Sequence, residues 1–265
     1  MMNILDEIVE HKFQEVSRLK KIFSISDFKD QITGENTGHS LITRITDENP
    51  FHFICEIKKA SPSRGIIQPD FDPVRQAKMY NENGASAVSV LTDDKYFMGH
   101  LDHLKNVRKH ISLPILRKEF IIDQLQIYES RAAGADIILL IARILDKNQI
   151  DDYMDCAVEL GLEVLLELAD VKDIDKIPLR KSNIIIGINN RNLQTFKVNV
   201  DTSLKIKEYL PRDLPVISES GIKNGDDCRL LFKYGFSGAL IGETLMKSAD
   251  PGQTLKEMIK AVNPC

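Results

Sequence analysis

Eight short apolar segments, each followed by a stretch with helical periodicity, constrain the fold of this chain more than any other feature. They start roughly 20 to 35 residues apart, which leaves room for a strand, two loops and a crossover helix. Near-continuous apolar runs are typical of parallel strands covered on both faces. The pattern predicts an α/β protein whose strands are 51–57, 86–91, 114–120, 136–142, 163–169, 183–189, 214–220 and 237–243.

The intervening segments carry helix start and stop signals. Asp72-Pro73 offers an N-cap followed by proline at the first helical position, and Asp146 and Asp201 precede further helical patterns. A glycine just before a strand suits the left-handed residue that ends a helix. Four glycines are predicted to take this role: Gly84, Gly134, Gly161 and Gly235.

Eight such units in about 215 residues match a single closed (β/α)8 TIM barrel. A doubly wound open sheet is the competing architecture, but the GxGxxG fingerprint expected after its first strand is absent. We place the barrel at 49–265 and an N-terminal helical extension packed on it at 1–48, as one folding unit. The extension is predicted from an apolar stripe at helical spacing: Ile4, Leu5, Ile8, Val9, Phe13, Val16 and Leu19.

Charge and cysteine usage exclude several classes of protein. The net charge of −4 argues against a general nucleic-acid binder. Asp6 and Glu7 interrupt the first apolar stretch, so it does not read as a signal peptide, and the apolar run 137–142 is too short to span a membrane. The four cysteines form no CxxC pair. We therefore expect neither a disulfide framework nor a zinc site, and a cytoplasmic location.

An acid and a base share one face of the first predicted strand. In FHFICEIKK, Ile54, Glu56 and Lys58 alternate with apolar Phe53, Cys55 and Ile57. Functional residues of such barrels cluster at the carboxyl ends of the strands, so Glu56 and Lys58 should point into the mouth. Taken alone, the pair fits a structural salt bridge equally well.

Polar side chains at the ends of further strands favour a ligand site. Burying so many polar groups at one rim is costly unless they face a polar ligand. Lysine and glutamate held close in such a mouth have tunable pKa values that suit proton transfer at a carbonyl or an enol-type intermediate. The residues are Lys118, Glu167, Asn189, Arg191, Ser218 and Ser220.

Histidines and glycines refine this prediction. His100 and His103 begin a helix without a third ligand in view, so we expect no metal site. Gly221 and Gly242 follow the seventh and eighth strands, whose loops commonly bind phosphate through backbone N–H groups. The glycines also fit simple tight turns.

Several sequence segments together closely resemble one enzyme family. They are ILDEIVEHK, EIKKASPSRG, LTDDKYFMG, PILRKEFIIDQLQIYESRAAGADIILLIA, LELAD, IGINNRNLQTF, ISESGI and LIGETLM. The chain resembles the indole-3-glycerol-phosphate synthase family over essentially its whole length. The resemblance implies a (β/α)8 lyase without a cofactor. It would close an indole ring on a carboxyphenylamino-deoxyribulose phosphate, with loss of carbon dioxide and water.

The resemblance also assigns roles to residues. It implies Phe97 beside the anthranilate ring, Leu139 in an apolar wall, and Ser61 and Ser63 in a loop near the phosphate. Glu243 stands where some relatives have serine, which would remove one hydroxyl contact to phosphate. Arg191, Gly221 and Gly242 match substrate- and phosphate-contacting positions, and the implied catalytic group is Glu56, Lys58, Lys118, Glu167, Asn189 and Ser220.

Within that group Lys118 is expected to be the acid for cyclisation. Glu56 is expected to be a base in dehydration, and Glu167, or alternatively Lys58, the acid. A sugar-phosphate isomerase on the same scaffold is the nearest alternative, and a non-catalytic barrel that binds a phosphorylated metabolite is a more distant one. We expect a small anionic substrate, no nucleic-acid or membrane partner, and a monomer or weak dimer.

Overall fold

The computed structural model describes residues 3–32, 39–47, 51–62, 64–178, 182–192 and 197–262. Ten strands lie in these ranges: β1 His52–Ile57, β2 Ala60–Ser61, β3 Gly65–Ile66, β4 Ala87–Leu91, β5 Ile115–Lys118, β6 Ile137–Ile141, β7 Glu163–Leu168, β8 Ile184–Asn189, β9 Val216–Glu219 and β10 Gly238–Ile241.

Eight of these strands close into a parallel barrel in the order β1-β10-β9-β8-β7-β6-β5-β4. The ring is completed on either side of β1, where His52 pairs with Gly238 and Ile54 pairs with Ala87. All eight predicted segments contain a barrel strand, so the (β/α)8 prediction is confirmed and the open sheet is excluded. The short β2 and β3 form a separate antiparallel pair in the loop after β1.

Helices surround the barrel or extend it at the N-terminus. They are α1 Ile4–Ile22, α2 Ile25–Lys29, α3 Leu41–Asp47, α4 Pro73–Glu82, α5 Asp94–Phe97, α6 Leu101–Arg108, α7 Gln124–Ala132, α8 Lys147–Glu159, α9 Asp201–Lys207, α10 Gly225–Lys233, α11 Glu243–Lys247 and α12 Pro251–Val262, with a 3-10 helix at Val171–Lys176. None of the helices in the described ranges combines the length and apolar character needed to cross a membrane.

Most of the predicted helix boundaries agree with the structure. Asp72 and Asp146 accept N-cap hydrogen bonds, and the four glycines before strands have φ between +66° and +92°. The prediction for Asp201 is wrong. It is the first residue of α9, and the cap position belongs to Val200, whose side chain accepts nothing.

Side-chain alternation along the strands separates two apolar layers. Ile54, Leu116 and Leu165 lie in the cluster that fills the barrel interior. Phe53 and Cys55 belong to the larger cluster between the barrel and the helices. Because aliphatic side chains fill the interior, a polar side chain on the interior face of a strand indicates the mouth of the barrel.

The N-terminal extension packs on the barrel through α1, α2 and α3, with Phe28 of α2 buried in the larger apolar cluster. Helix α1 starts with a capping box at Asn3 and buries Leu5, Ile8 and Val16, whereas Phe13, expected in the apolar stripe, is 57% exposed. Leu41 of α3 belongs to the interior cluster. Residues 33–38 and 48–50 lie outside the described ranges, so the domain boundary at 48 stays a prediction.

Candidate active site

Side chains from most of the barrel strands converge on a cavity of about 150 Å³ at the carboxyl end of the barrel. Its walls combine apolar groups such as Leu139 and Leu240 with a concentration of charge. The polar and glycine residues that line it are Glu56, Lys58, Lys118, Glu119, Glu167, Asn189, Arg191, Glu219, Ser220, Gly221, Gly242, Glu243 and Thr244. Most of the residues predicted for the mouth are therefore brought together.

Glu56 and Lys58 point into this cavity from β1 and the residue after it. The Lys58 ammonium donates to the carboxylate of Glu56, and both side chains are largely withdrawn from solvent. Burial by itself raises the pKa of Glu56, but Lys58 and Lys118 outweigh it and hold that pKa below its usual value. Glu56 is therefore ionised at neutral pH and available to accept a proton.

Lys118 ends β5 and reaches across the cavity to two carboxylates. Its Nζ donates to Glu219 and lies 3.4 Å from Oε2 of Glu167. Burial lowers the pKa of Lys118, but Glu219, Glu167 and Glu56 outweigh this and raise it above its usual value. The side chain is accordingly held as an ammonium that can donate a hydrogen bond to an incoming oxygen, and a proton only to an oxygen that becomes strongly basic.

Glu219 was not among the residues predicted for the mouth, because the alternation that places Ser218 and Ser220 there takes the wrong face of β9. Ser218, expected in the mouth, lies in the outer layer, where its Oγ is 2.7 Å from that of Ser203 and accepts from Asn190 at 3.0 Å. Ile217 belongs to the interior cluster, and Glu219 follows it on the same face. Anchoring the alternation on Ile217 would have found Glu219, but both faces of this strand are apolar at Val216 and Ile217.

Ser220 still reaches the cavity, since the strand has ended and its backbone turns. Its φ is +68°, a left-handed conformation unusual for a residue other than glycine. Neighbouring Gly221 has φ +84°. Two consecutive left-handed residues let Glu219 and Ser220 line the same cavity.

Glu219 has an unusual proton affinity. Burial raises its pKa, Lys118 lowers it and Glu167 raises it again, with a net value of about 7. Its Oε1 is buried without a hydrogen-bond partner among the described residues. A carboxyl group with this pKa exchanges protons readily at neutral pH.

Two glycines make room for the carboxylates. A Cβ at Gly187 of β8 would collide with Oε1 of Glu219, and a Cβ at Gly242 would collide with Glu56. Gly187 lies between Ile185 and Asn189 on the face that points into the barrel. Both carboxylates therefore occupy space that any other residue type would fill.

A second cavity of about 100 Å³ adjoins the first and is largely apolar. Phe97 and Phe120 line both cavities, and their ring centroids are 6.1 Å apart. Ser61 and Pro62 close it from the loop after β1, whereas Ser63 lies outside the described residues. The size and lining suit a flat apolar ring.

Positive charge gathers around Glu243, which together with Arg191 lines both cavities. Its carboxylate lies 3.0 Å from Arg64, 3.3 Å from Arg191 and 2.6 Å from Lys247. Gly221 and Gly242 line the cavity beside this group. These cations can bind an anion when the Glu243 carboxylate moves away from them.

Histidine, cysteine and carboxylate side chains in the described part of the chain form no group of three that could hold a metal ion. His100 instead caps α6, accepting from the backbone N–H of Asp102 at 3.1 Å.

Comparison with known proteins decides the family. The family model described as indole-3-glycerol phosphate synthase matches residues 5–258. A protein of that name from Chlorobium phaeobacteroides is 45% identical over 252 residues, or 94% of this chain and 96% of its own. A second, from Desulfotalea psychrophila, is 43% identical over 97% of this chain and 99% of its own.

The chain belongs to the indole-3-glycerol phosphate synthase family. Solved structures of other enzymes resemble this chain in fold alone. A 3-hexulose-6-phosphate synthase superposes with a TM-score of 0.64 at 15% identity, covering 80% of this chain and all of its own. A tryptophan synthase alpha chain from Legionella pneumophila gives 0.60 at 15% identity, covering 84% and 95%.

Proposed function

We propose that this member of the indole-3-glycerol phosphate synthase family carries out the reaction for which the family is named. It closes the indole ring of 1-(2-carboxyphenylamino)-1-deoxyribulose 5-phosphate, with loss of carbon dioxide and water, and is thus a carboxy-lyase. The observation that carries the proposal is the mouth itself. Lys58 and Lys118 face three carboxylates there, beside an aromatic cavity and a group of cations.

The mouth offers contacts for both ends of this substrate. The aryl ring would lie against Phe97 and Phe120, with Leu139 in the apolar wall. The phosphate would bind to Arg191 and to backbone N–H groups beside Gly221 and Gly242, where the start of α11 adds a favourable dipole. The ribulose chain then spans the charged centre.

Ring closure requires a polarised carbonyl. The aryl carbon that bears the carboxylate attacks C2 of the ribulose, and the carbonyl oxygen takes up a proton as the new C–C bond forms. Lys118 is the acid we assign to this step, because Glu219 and Glu167 hold its ammonium in the cavity. Carbon dioxide then leaves, and its bonding electrons restore the aromatic ring.

Dehydration needs an acid and a base in opposite protonation states. The hydroxyl on the former carbonyl carbon leaves as water once it is protonated, and a neighbouring proton is removed. Glu56, held ionised by Lys58, is the base we assign. For the acid, Glu219 is a better candidate than Glu167 or Lys58, because its pKa of about 7 keeps part of it protonated at neutral pH.

Incubation of the purified protein with the substrate tests this proposal. Absorbance of the indole product and released carbon dioxide should appear together. Lys118→Met should lower kcat by about 10²- to 10⁴-fold while circular dichroism remains unchanged. Lys105→Met, at an exposed lysine of α6, is the matched control. Conversion without carbon dioxide would instead support the isomerase, and binding without conversion a non-catalytic barrel.

The cellular setting of this activity stays a prediction. Cys55, Cys156 and Cys228 are free and buried, in keeping with the expected cytoplasmic location. A monomer or weak dimer remains our expectation for the oligomeric state, which sedimentation velocity would measure.

A further inference from the structure

Helix α1 buries one charged side chain completely among carboxylates. Lys12 is 3% exposed, and its Nζ lies 3.0 Å from Oδ2 of Asp93, 2.9 Å from Oε1 of Glu119 and 2.5 Å from Oε2 of Glu15. Asp93 and Glu119 are themselves buried. Removing these charges from water is costly, so the cluster persists only as a set of mutually paired groups.

Each of the two buried carboxylates also holds the backbone of a segment that lines the candidate active site. Oδ1 of Asp93 accepts from the N–H of Tyr96 at 2.7 Å and caps α5, whose last residue is Phe97. Oε1 of Glu119 accepts from the N–H of Phe120 at 2.9 Å. In each segment, the carboxylate that pairs with Lys12 also fixes the backbone that carries an aromatic residue of the cavity. Asp93 does so for Phe97, and Glu119 does so for Phe120.

A further hydrogen bond joins the two segments. Thr92, next to Asp93, donates its hydroxyl to Oε2 of Glu119 at 2.7 Å, and Arg117 donates to the same hydroxyl at 3.1 Å. Lys12 therefore lies where the loops after β4 and β5 meet. Lys118, the acid we assign, is the residue between Arg117 and Glu119 in the chain.

Helix α1 forms part of the aromatic cavity as well. Ile4, Leu5 and Ile8 line the same space as Phe97 and Phe120. The hydroxyl of Tyr96 donates to the carbonyl of Glu7 at 3.3 Å. Displacing α1 would therefore open one wall of this cavity.

We propose that Lys12 is a positioning residue for the reaction: from helix α1 it ties Asp93 to Glu119, and so sets the spacing of Phe97 and Phe120 around the aryl ring of the substrate. The proposal rests on the proposed function, because it concerns how that substrate is held. Lys12 does not line the cavity and acts only through the two carboxylates.

The charges around the cluster explain why Lys12 is needed. Burial lowers the pKa of Lys12, but Glu119, Asp93 and Glu15 outweigh it and raise it. Burial raises the pKa of Asp93. Burial also acts to raise the pKa of Glu119, but the charges of Lys12 and Arg117 outweigh it and lower that pKa. Without Lys12 two buried carboxylates would face each other with Arg117 as the remaining cation, and repulsion would move them apart.

Lys12→Met tests the proposal, since it keeps the length of the side chain and removes the charge. Anthranilate, which is fluorescent, serves as a probe of the aryl end, and inorganic phosphate as a competing probe of the other end. We expect the Kd of anthranilate to rise about tenfold and kcat/KM to fall by about 10²-fold, as for a displaced substrate. The inhibition constant of phosphate should not change. Lys20→Met, at the exposed ion pair of α1 with Asp123, is the matched control.

Two results would overturn the proposal. One is a folded Lys12→Met variant with the anthranilate affinity and kcat/KM of the wild type. The other is an equal loss at the aryl and phosphate ends, which would mean that Lys12 only stabilises the fold. If Lys12→Met does not fold, Glu119→Gln provides the test, because it keeps an oxygen for the N–H of Phe120 and removes the charge that binds Lys12.

Glu119→Gln should then weaken anthranilate binding and leave phosphate inhibition as it is, and unchanged anthranilate binding would refute the proposal. A wild-type protein that forms no indole product refutes the proposed function and this inference with it. An active wild type with an unaffected Lys12→Met variant refutes this inference alone.

Discussion

Glu219 shows how far the chemistry of a single residue depends on its surroundings. In water a glutamate is ionised above about pH 4.3. Here burial and the charge of Glu167 raise its pKa, and Lys118 offsets only part of that change, so the value is about 7. In the fold Glu219 pairs with Lys118, 101 positions away, as a simple ion pair would, but burial makes it a candidate acid.

If Glu219 is the acid in dehydration, activity should depend on its protonated form. That form is lost as pH rises through about 7, so kcat should fall on the alkaline side of this value. Glu219→Gln should remove this pH dependence and let the hydroxylated intermediate accumulate in single-turnover experiments. Glu167→Gln is the comparison variant. Accumulation in Glu167→Gln alone would return the acid role to Glu167.

Gly187 offers a second test at the scale of one residue. A single methyl group there would displace the Glu219 carboxylate, because the Cβ would collide with Oε1. Gly187→Ala should therefore lower kcat at least tenfold, since a displacement of about 1 Å can cost 10²-fold in rate. In a Glu219→Gln background the same substitution should have a much smaller effect on kcat. Additive effects on log kcat would contradict this explanation.

Among the elements, α3 owes its position in part to a distant side chain. Glu163, at the start of β7, accepts a hydrogen bond from the Ser40 hydroxyl and from the N–H groups of Leu41 at 3.0 Å and Ile42 at 3.2 Å. These are the N–H groups that a helix start leaves without partners. The contact places α3, with Leu41 buried, against the end of the barrel opposite the mouth.

Removing the Glu163 carboxylate should destabilise the N-terminal extension more than it disturbs the candidate active site. We expect Glu163→Ala to lower the free energy of unfolding by about 1–3 kcal/mol, because it leaves buried N–H groups unpaired. Glu163→Gln should cost less, since its carbonyl oxygen can still accept. Denaturant unfolding measures both, with exposed Glu159→Ala on α8 as the control. Equal losses for Ala and Gln would argue that charge, rather than hydrogen bonding, holds α3.

Over the whole molecule, a net charge of −4 must coexist with an anionic substrate. Arg64, Arg191 and Lys247 supply local positive charge, and the single carboxylate of Glu243 offsets part of it. Side-chain hydrogen bonding and the charge of Lys247, with Arg64 and Arg191, lower the pKa of Glu243. Substrate phosphate must therefore compete with an ionised carboxylate.

Glu243→Gln should strengthen the binding of phosphate. We expect the inhibition constant of inorganic phosphate to fall about three- to tenfold, because the competing negative charge is removed. Raising the ionic strength should raise the KM of the wild type, since salt screens the attraction of the exposed cations. Glu159→Gln, remote from the mouth, is the control. A phosphate inhibition constant that rises in Glu243→Gln would show that the carboxylate orders the cations rather than blocking them.

Local patterns in the sequence were sufficient to predict the architecture. Eight apolar runs, the glycines that end helices and the caps at Asp72 and Asp146 each depend on residues a few positions apart. Alternation in FHFICEIKK likewise places Glu56 and Lys58 in the mouth, since Phe53, Cys55 and Ile57 leave only one face for them. These features follow from the period of a strand or a helix.

Only the tertiary structure decided the features that depend on contacts between distant segments. The side chain of Glu219 faces the mouth because β9 is held in register between β8 and β10, a choice that its two apolar faces leave open in the sequence. Lys12 lies next to Phe13, a position of α1 that was expected to face the apolar interface. It pairs with Asp93 and Glu119, which are 81 and 107 positions away in the chain. Sequence determined which side chains are available, and burial decided which charges must pair, because a charge withdrawn from water is tolerated only beside its partner.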